Sequence, residues 1–184
     1  MINMEQKDEL VAFEEWQPPF GLFKMIKLDW VSNPQNSKGK MITLLFRIAS
    51  FLSRKGRFVR ALGIPYLVFY RIWVEWILGV ELPPLTRVGT GLAIYHGQGL
   101  VVNNRTVIGN SCMLRQGVTL GNRRDDDIYG CPRLGDGVVV AANAMVLGRI
   151  VVGSGAIIAA GAVVIKDVAE GSVMVGPLAK AICV

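Results

Sequence analysis

The chain has one histidine, His96, in 184 residues. A zinc or iron centre built on several imidazoles is excluded, because such sites draw three or four ligands from His, Cys and carboxylates. The three cysteines, Cys112, Cys131 and Cys183, are scattered and do not fill the gap. No metal is expected. So small and odd a number of cysteines also argues against a disulfide framework and for a reducing compartment, the cytoplasm. Long hydrophobic runs are missing as well. The longest uncharged apolar stretch before the glycine-rich half, residues 61–70, lies between Arg60 and Arg71. That is short of the about 20 residues a membrane span needs. The N-terminus, MINMEQKDEL, is polar and does not read as a secretory signal. Charged residues are scarce at 18% against 52% hydrophobic, a balance that buries a core and excludes a disordered body.

What the chain has in abundance is a beat. Aliphatic residues recur every sixth position at Leu134, Val140, Val146, Val152, Ile158 and Val164. Two places before each stands a small or aliphatic residue: Pro132, Val138, Ala144, Ile150, Ala156 and Ala162. The same beat runs upstream through Val88, Ile94 and Leu100, then Val102, Ile108, Leu114 and Leu120. A period of six fits neither a helix nor an alternating strand. It fits a triangular solenoid in which each hexapeptide makes one flat side and stacking supplies the core. The period slips by two residues near Leu100 and breaks again over residues 121–133, GNRRDDDIYGCPR, which predicts an extruded loop.

The first eighty residues read differently. Residues 41–51 and 65–78 are apolar with helical spacing, and the turn-rich residues 29–39 separate this pair from the N-terminal tail. The expected division is a tail and helical region over residues 1–80 and a β-helix over 81–184. Eight basic residues, Lys38, Lys40, Arg47, Arg54, Lys55, Arg57, Arg60 and Arg71, follow one another with no acid between them. The helices either cap the solenoid and pack between subunits or attach to an anionic membrane surface or phosphate-bearing substrate. No nucleic-acid recognition motif accompanies the charge, so no nucleic acid is expected.

His96 sits in IYHGQG, where the repeat slips phase. A slip exposes groups that regular coils bury, and a neutral imidazole can take a proton from a hydroxyl near neutral pH. Glu81, in GVELPP at the mouth of the solenoid, is the candidate acid to steady it.

From Glu81 onward the strings GVELPP, IYHGQGLVV, RQGVTLGN, CPRLGDGV and VMVGPLAKAI resemble, in order and spacing, the hexapeptide-repeat acyltransferases, serine acetyltransferases in particular. Asp29, Trp30, Asn33, Asn36 and Lys38, with FRIA and GNR, bring the chain closer to colanic-acid-type exopolysaccharide O-acetyltransferases, over roughly residues 24–184. The resemblance implies a left-handed parallel β-helix, a homotrimer, and acetyl-CoA as acetyl donor lying between two subunits. It implies His96 as base with Glu81 paired to it. Cofactor contacts fall on Asn122 with Gly121, on Ala142 and Ala160, and on Lys166 and Lys180. An oxyanion donor is expected from a backbone N–H within residues 117–122. The family's second histidine and the arginine before it are replaced here by Cys131 and Gly130. In serine acetyltransferases that histidine holds the carboxylate of serine, so the resemblance implies a sugar hydroxyl as acceptor. A lipid-linked polysaccharide unit at the inner face of the cytoplasmic membrane fits the basic helices. The alternatives are serine O-acetylation and a non-catalytic β-helix scaffold.

Overall fold

The computed structural model describes residues 18–176. From Val80 onward the chain winds through fourteen short strands, all paired in parallel, that stack into three sheets. The first face orders β1 (Val80–Glu81), β4 (Leu100–Val102), β7 (Thr119–Gly121), β10 (Met145–Leu147) and β13 (Val163–Val164). The second orders β2 (Arg87–Val88), β5 (Val107–Ile108), β8 (Arg133–Leu134) and β11 (Val151–Val152). The third orders β3 (Ala93–Tyr95), β6 (Met113–Arg115), β9 (Val139–Val140), β12 (Ile157–Ile158) and β14 (Val173–Met174). This is the β-helix that the six-residue period predicts. Its aliphatic beat points inward: Val88, Ile94, Leu114, Leu120, Val140, Val146, Val152 and Ile158 are all buried. Each stacks on its equivalent in the next coil, as in the register Ile94↔Leu114↔Val140↔Ile158.

Two helices, α1 (Leu22–Ser32) and α2 (Ser37–Ser53), lie against the first coil, and α3 (Arg57–Leu62) and α4 (Ile64–Tyr70) follow. A wider π-helical turn, Arg71–Ile77, then leads into β1, with Leu78 N–H bonded to Trp73 O at 3.0 Å, five residues back. Two expectations are corrected. The helix read over 65–78 changes pitch at Arg71. The turn-rich stretch 29–39 is helical as far as Ser32 and again from Ser37, so only a short connection remains.

The helices close the open end of the solenoid with side chains. Among the described residues no strand lies above the first coil, and bare strand edges invite pairing with other chains. Asp29 accepts from Leu92 N–H (3.0 Å), and Asn33 accepts from Ile94 N–H (3.1 Å) while donating to Leu92 O (2.9 Å). Asn36 donates to Ile94 O (2.8 Å). Arg47 donates to Val88 O and Gly89 O and is itself held by Asp29, 2.6 Å away, with both side chains buried. Further round, Arg54 donates to Leu85 O and Thr86 O, and Tyr70 donates to Leu82 O (2.7 Å). Capping of the solenoid is therefore one task of the helical region, and two of the eight basic residues between Lys38 and Arg71, Arg47 and Arg54, are spent on it.

Candidate active site

Register locates the phase slip to the residue. Tyr95 pairs with Arg115, and Val101 pairs with Thr119. Five residues, 96–100, therefore bridge the corner where the lower coil uses three, 116–118. Gly117 N–H bonds to Gln98 O, which aligns Gln98 with Gln116. The two extra residues are His96 and Gly97. Both are left-handed, at φ 65° and 74°. For His96 this is an uncommon conformation that costs of order 1 kcal/mol or more. Gly97 has no substitute here: a side chain on it would press on Val80, Ile94 and Ile42. The bulge carries the imidazole on the outside of the coil, and His96 is exposed.

The groove beside it is lined by Pro34, Gln35, Asn36, Tyr95 and His96. The α1–α2 connection thus supplies one wall, with Gln35 also left-handed at φ 54°. These wall residues were not singled out from the sequence as site residues. The turn composition around Pro34 was the available signal, and only its bonds to the first coil show where it lies. The Arg115 guanidinium carbon stands 5.8 Å from the Tyr95 ring centre.

Glu81 is exposed on the outer side of β1, around the same corner, where Gly99 N–H bonds to Gly79 O. No hydrogen bond joins it to His96 within the single chain. Its charge is felt instead by Glu75, whose carboxyl burial pushes above its ordinary range, with Arg71 opposing and Glu81 adding to the shift.

Ala142 and Ala160 fall on the same corner as His96, in successive lower coils. The ladder Gly117 N–H to Gln98 O, Asn143 N–H to Gln116 O and Gly161 N–H to Ala142 O carries the chain down beneath the imidazole. Coils repeat about every 4.8 Å, and Ala142 and Ala160 leave a narrow track of small residues below the base. The Gly117 and Thr119 N–H groups are committed to Gln98 O and Ala144 O, which removes both from the oxyanion donors expected within residues 117–122.

Asn122 and Lys166 lie elsewhere, at the opposite end of the first face. There residues 122–132 replace a connection that takes three residues, 148–150, in the next coil. The Asn122 amide holds the loop root, donating to Arg124 O (2.8 Å) and accepting from Asn103 (3.2 Å). Asp127 with Arg149 (3.7 Å) and Arg105 over the Tyr129 ring (4.9 Å) pin the rest. Cys131 is buried in this loop, and burial pushes its thiol up to about 11. Lys166 is exposed. Lys180 lies outside the described residues. The two groups of predicted residues are on the order of 15 Å apart across one face, and one chain does not bring them together. Among the described residues no group of three His, Cys, Asp or Glu side chains gathers as a metal site.

Residues 132–166 match the family model described as bacterial transferase hexapeptide (six repeats). The chain is 37% identical over 142 residues to the putative colanic acid biosynthesis acetyltransferase WcaB of Escherichia coli K12, covering 76% of this chain and 87% of that protein. It is 38% identical over 139 residues to a serine acetyltransferase of Helicobacter pylori, covering 76% and 78%. Among solved structures, the soybean serine acetyltransferase apoenzyme superposes with a TM-score of 0.74 at 29% identity, over 95% of this chain and 74% of the other. With its repeat, its fold and its relatives in agreement, the chain belongs to the hexapeptide-repeat acetyltransferases, enzymes that take their acetyl group from acetyl-CoA.

Proposed function

We propose that the enzyme acetylates a sugar hydroxyl of a bacterial exopolysaccharide unit. The observation that carries this reading is the two-residue bulge that turns His96 out into a groove. In the proposed reaction the acceptor hydroxyl oxygen attacks the acetyl carbonyl of acetyl-CoA and His96 takes its proton. The C–S bond breaks, CoA leaves as a thiolate, and the imidazolium returns the proton to it. Glu81 steadies the imidazolium. Ala142 and Ala160 line the arm of the donor from the corner below His96. Asn122, Lys166 and Lys180 of a neighbouring copy complete the site in a homotrimer, since residues at opposite ends of one face meet only across a subunit boundary.

Serine O-acetylation is the second reading, favoured by the likeness to serine acetyltransferases. Against it stands Cys131 at the position of the family's carboxylate-holding histidine. A buried neutral thiol offers no charge to a serine carboxylate. A saccharide needs none, and a lipid-linked acceptor on the cytoplasmic side of a membrane suits the exposed basic residues. Thiol release from acetyl-CoA, measured with oligosaccharide and with serine as acceptors, separates the two readings. Turnover with serine and none with saccharides would overturn the first.

A further inference from the structure

The segment from Arg57 to Ile77 has a surface that the acetyl-transfer site does not use. α3 buries none of its side chains, α4 buries only Tyr70, and the π-helical turn buries only Val74. The rest of a surface helix is ordinarily polar. Here it carries Phe58 (77% exposed), Leu62 (70%) and Trp76 (72%), with Val59, Ile64, Val68, Phe69, Ile72, Trp73 and Ile77 also exposed. Phe69 and Trp73 stack with ring centres 6.1 Å apart, which joins α4 to the π-helical turn in one aromatic surface. So much exposed apolar surface marks an interaction site. The helices are too short and too interrupted to span a bilayer, and none among the described residues is long and apolar enough.

Charge identifies the occupant. Lys55, Arg57 and Arg60 are exposed beside the apolar residues, and the Arg71 side chain is 70% exposed. No acid occurs between Asp29 and Glu75, and Glu75 is paired with Arg71 at 3.5 Å. Two copies of this surface placed face to face would bring cations against cations. A surface of anionic headgroups over hydrocarbon complements both halves of it, with tryptophans at the depth where their amphipathic rings are enriched.

We infer that the Arg57–Ile77 segment lies in the plane of an anionic lipid bilayer, its apolar side chains in the acyl boundary and Lys55, Arg57 and Arg60 among the headgroups. No step of the acetyl transfer depends on this docking, so either can fail alone. The test is flotation of the full-length protein with vesicles of phosphatidylcholine alone or with a third phosphatidylglycerol, alongside light scattering for oligomeric state. Partitioning is expected onto the anionic vesicles, several-fold weaker in high salt because exposed charges are screened. The Lys55→Glu/Arg57→Glu/Arg60→Glu protein is expected to lose about a hundredfold or more in partitioning. A blue shift of tryptophan emission on vesicle binding is expected to shrink in Trp76→Phe. Phe58→Ser/Leu62→Ser is expected to lose binding while keeping the wild-type melting temperature and oligomer size, since neither side chain packs within the fold. No binding to either vesicle, or equal binding to both, overturns the inference. So does dissociation of the oligomer in Phe58→Ser/Leu62→Ser, which would make the surface a contact between copies of the chain.

Discussion

His96 is held in a backbone conformation that most side chains avoid, and the surrounding coil over-determines it. Ile94 and Leu100 on either side are buried and fixed by stacking, so the two extra residues can only bulge outward. Asparagine tolerates the left-handed region better than most residues. His96→Asn is therefore expected to fold as the wild type does, with an unchanged melting temperature. Its acetyl transfer should fall by about a hundredfold to ten-thousandfold, the usual worth of a general base, with acetyl-CoA affinity retained in an equilibrium binding assay. Glu81→Gln should lower turnover more gently and leave the oligomer intact, because the exposed Glu81 side chain holds no part of the fold. Oligomer loss in Glu81→Gln would make the acid structural.

At the scale of elements, the repeat was legible in sequence and so was a helical cap, but the contacts that make the cap were not. A stacked core writes itself as an aliphatic every six residues, since each coil must match its neighbour. The cap is made of single polar side chains reaching across about sixty residues of sequence, from Asn33 to Leu92 and Ile94. Asp29, Asn33 and Asn36 are local helix-disfavouring types, so the stretch reads as turn. Their distant backbone partners leave no periodic trace. Arg47 likewise counts as surface charge in sequence and is buried in the fold. The slip near Leu100 was visible as a change of phase, and only strand register assigns it to His96 and Gly97. Asp29→Ala strands the buried Arg47 guanidinium without its carboxylate and leaves Leu92 N–H unpaired. Urea denaturation should show a loss of about 3–5 kcal/mol, the cost of breaking one side of a buried ion pair. A loss within 0.5 kcal/mol of zero would mean that the end of the solenoid closes without it.

At the scale of the whole molecule, the candidate residues divide between two ends of one face. His96, Ala142 and Ala160 share one corner; Asn122 and Lys166 share the other. The proposed homotrimer, seating one corner of each copy against the other corner of the next, would join them. Co-assembled His96→Asn and Asn122→Tyr chains, each inactive alone, should then recover activity in about a quarter of their sites, as random mixing of two copies around a ring requires. No recovery would place the whole site within one chain. The central claim, that this chain moves acetyl from acetyl-CoA to a sugar hydroxyl through His96, is met most directly by one assay. CoA release is followed with acetyl-CoA and a panel of exopolysaccharide-derived oligosaccharides, with serine alongside, for the wild type and His96→Asn. Saccharide-dependent release that disappears in His96→Asn, with none on serine, is the predicted result. Release that survives in His96→Asn, or that serine alone supports, would contradict it.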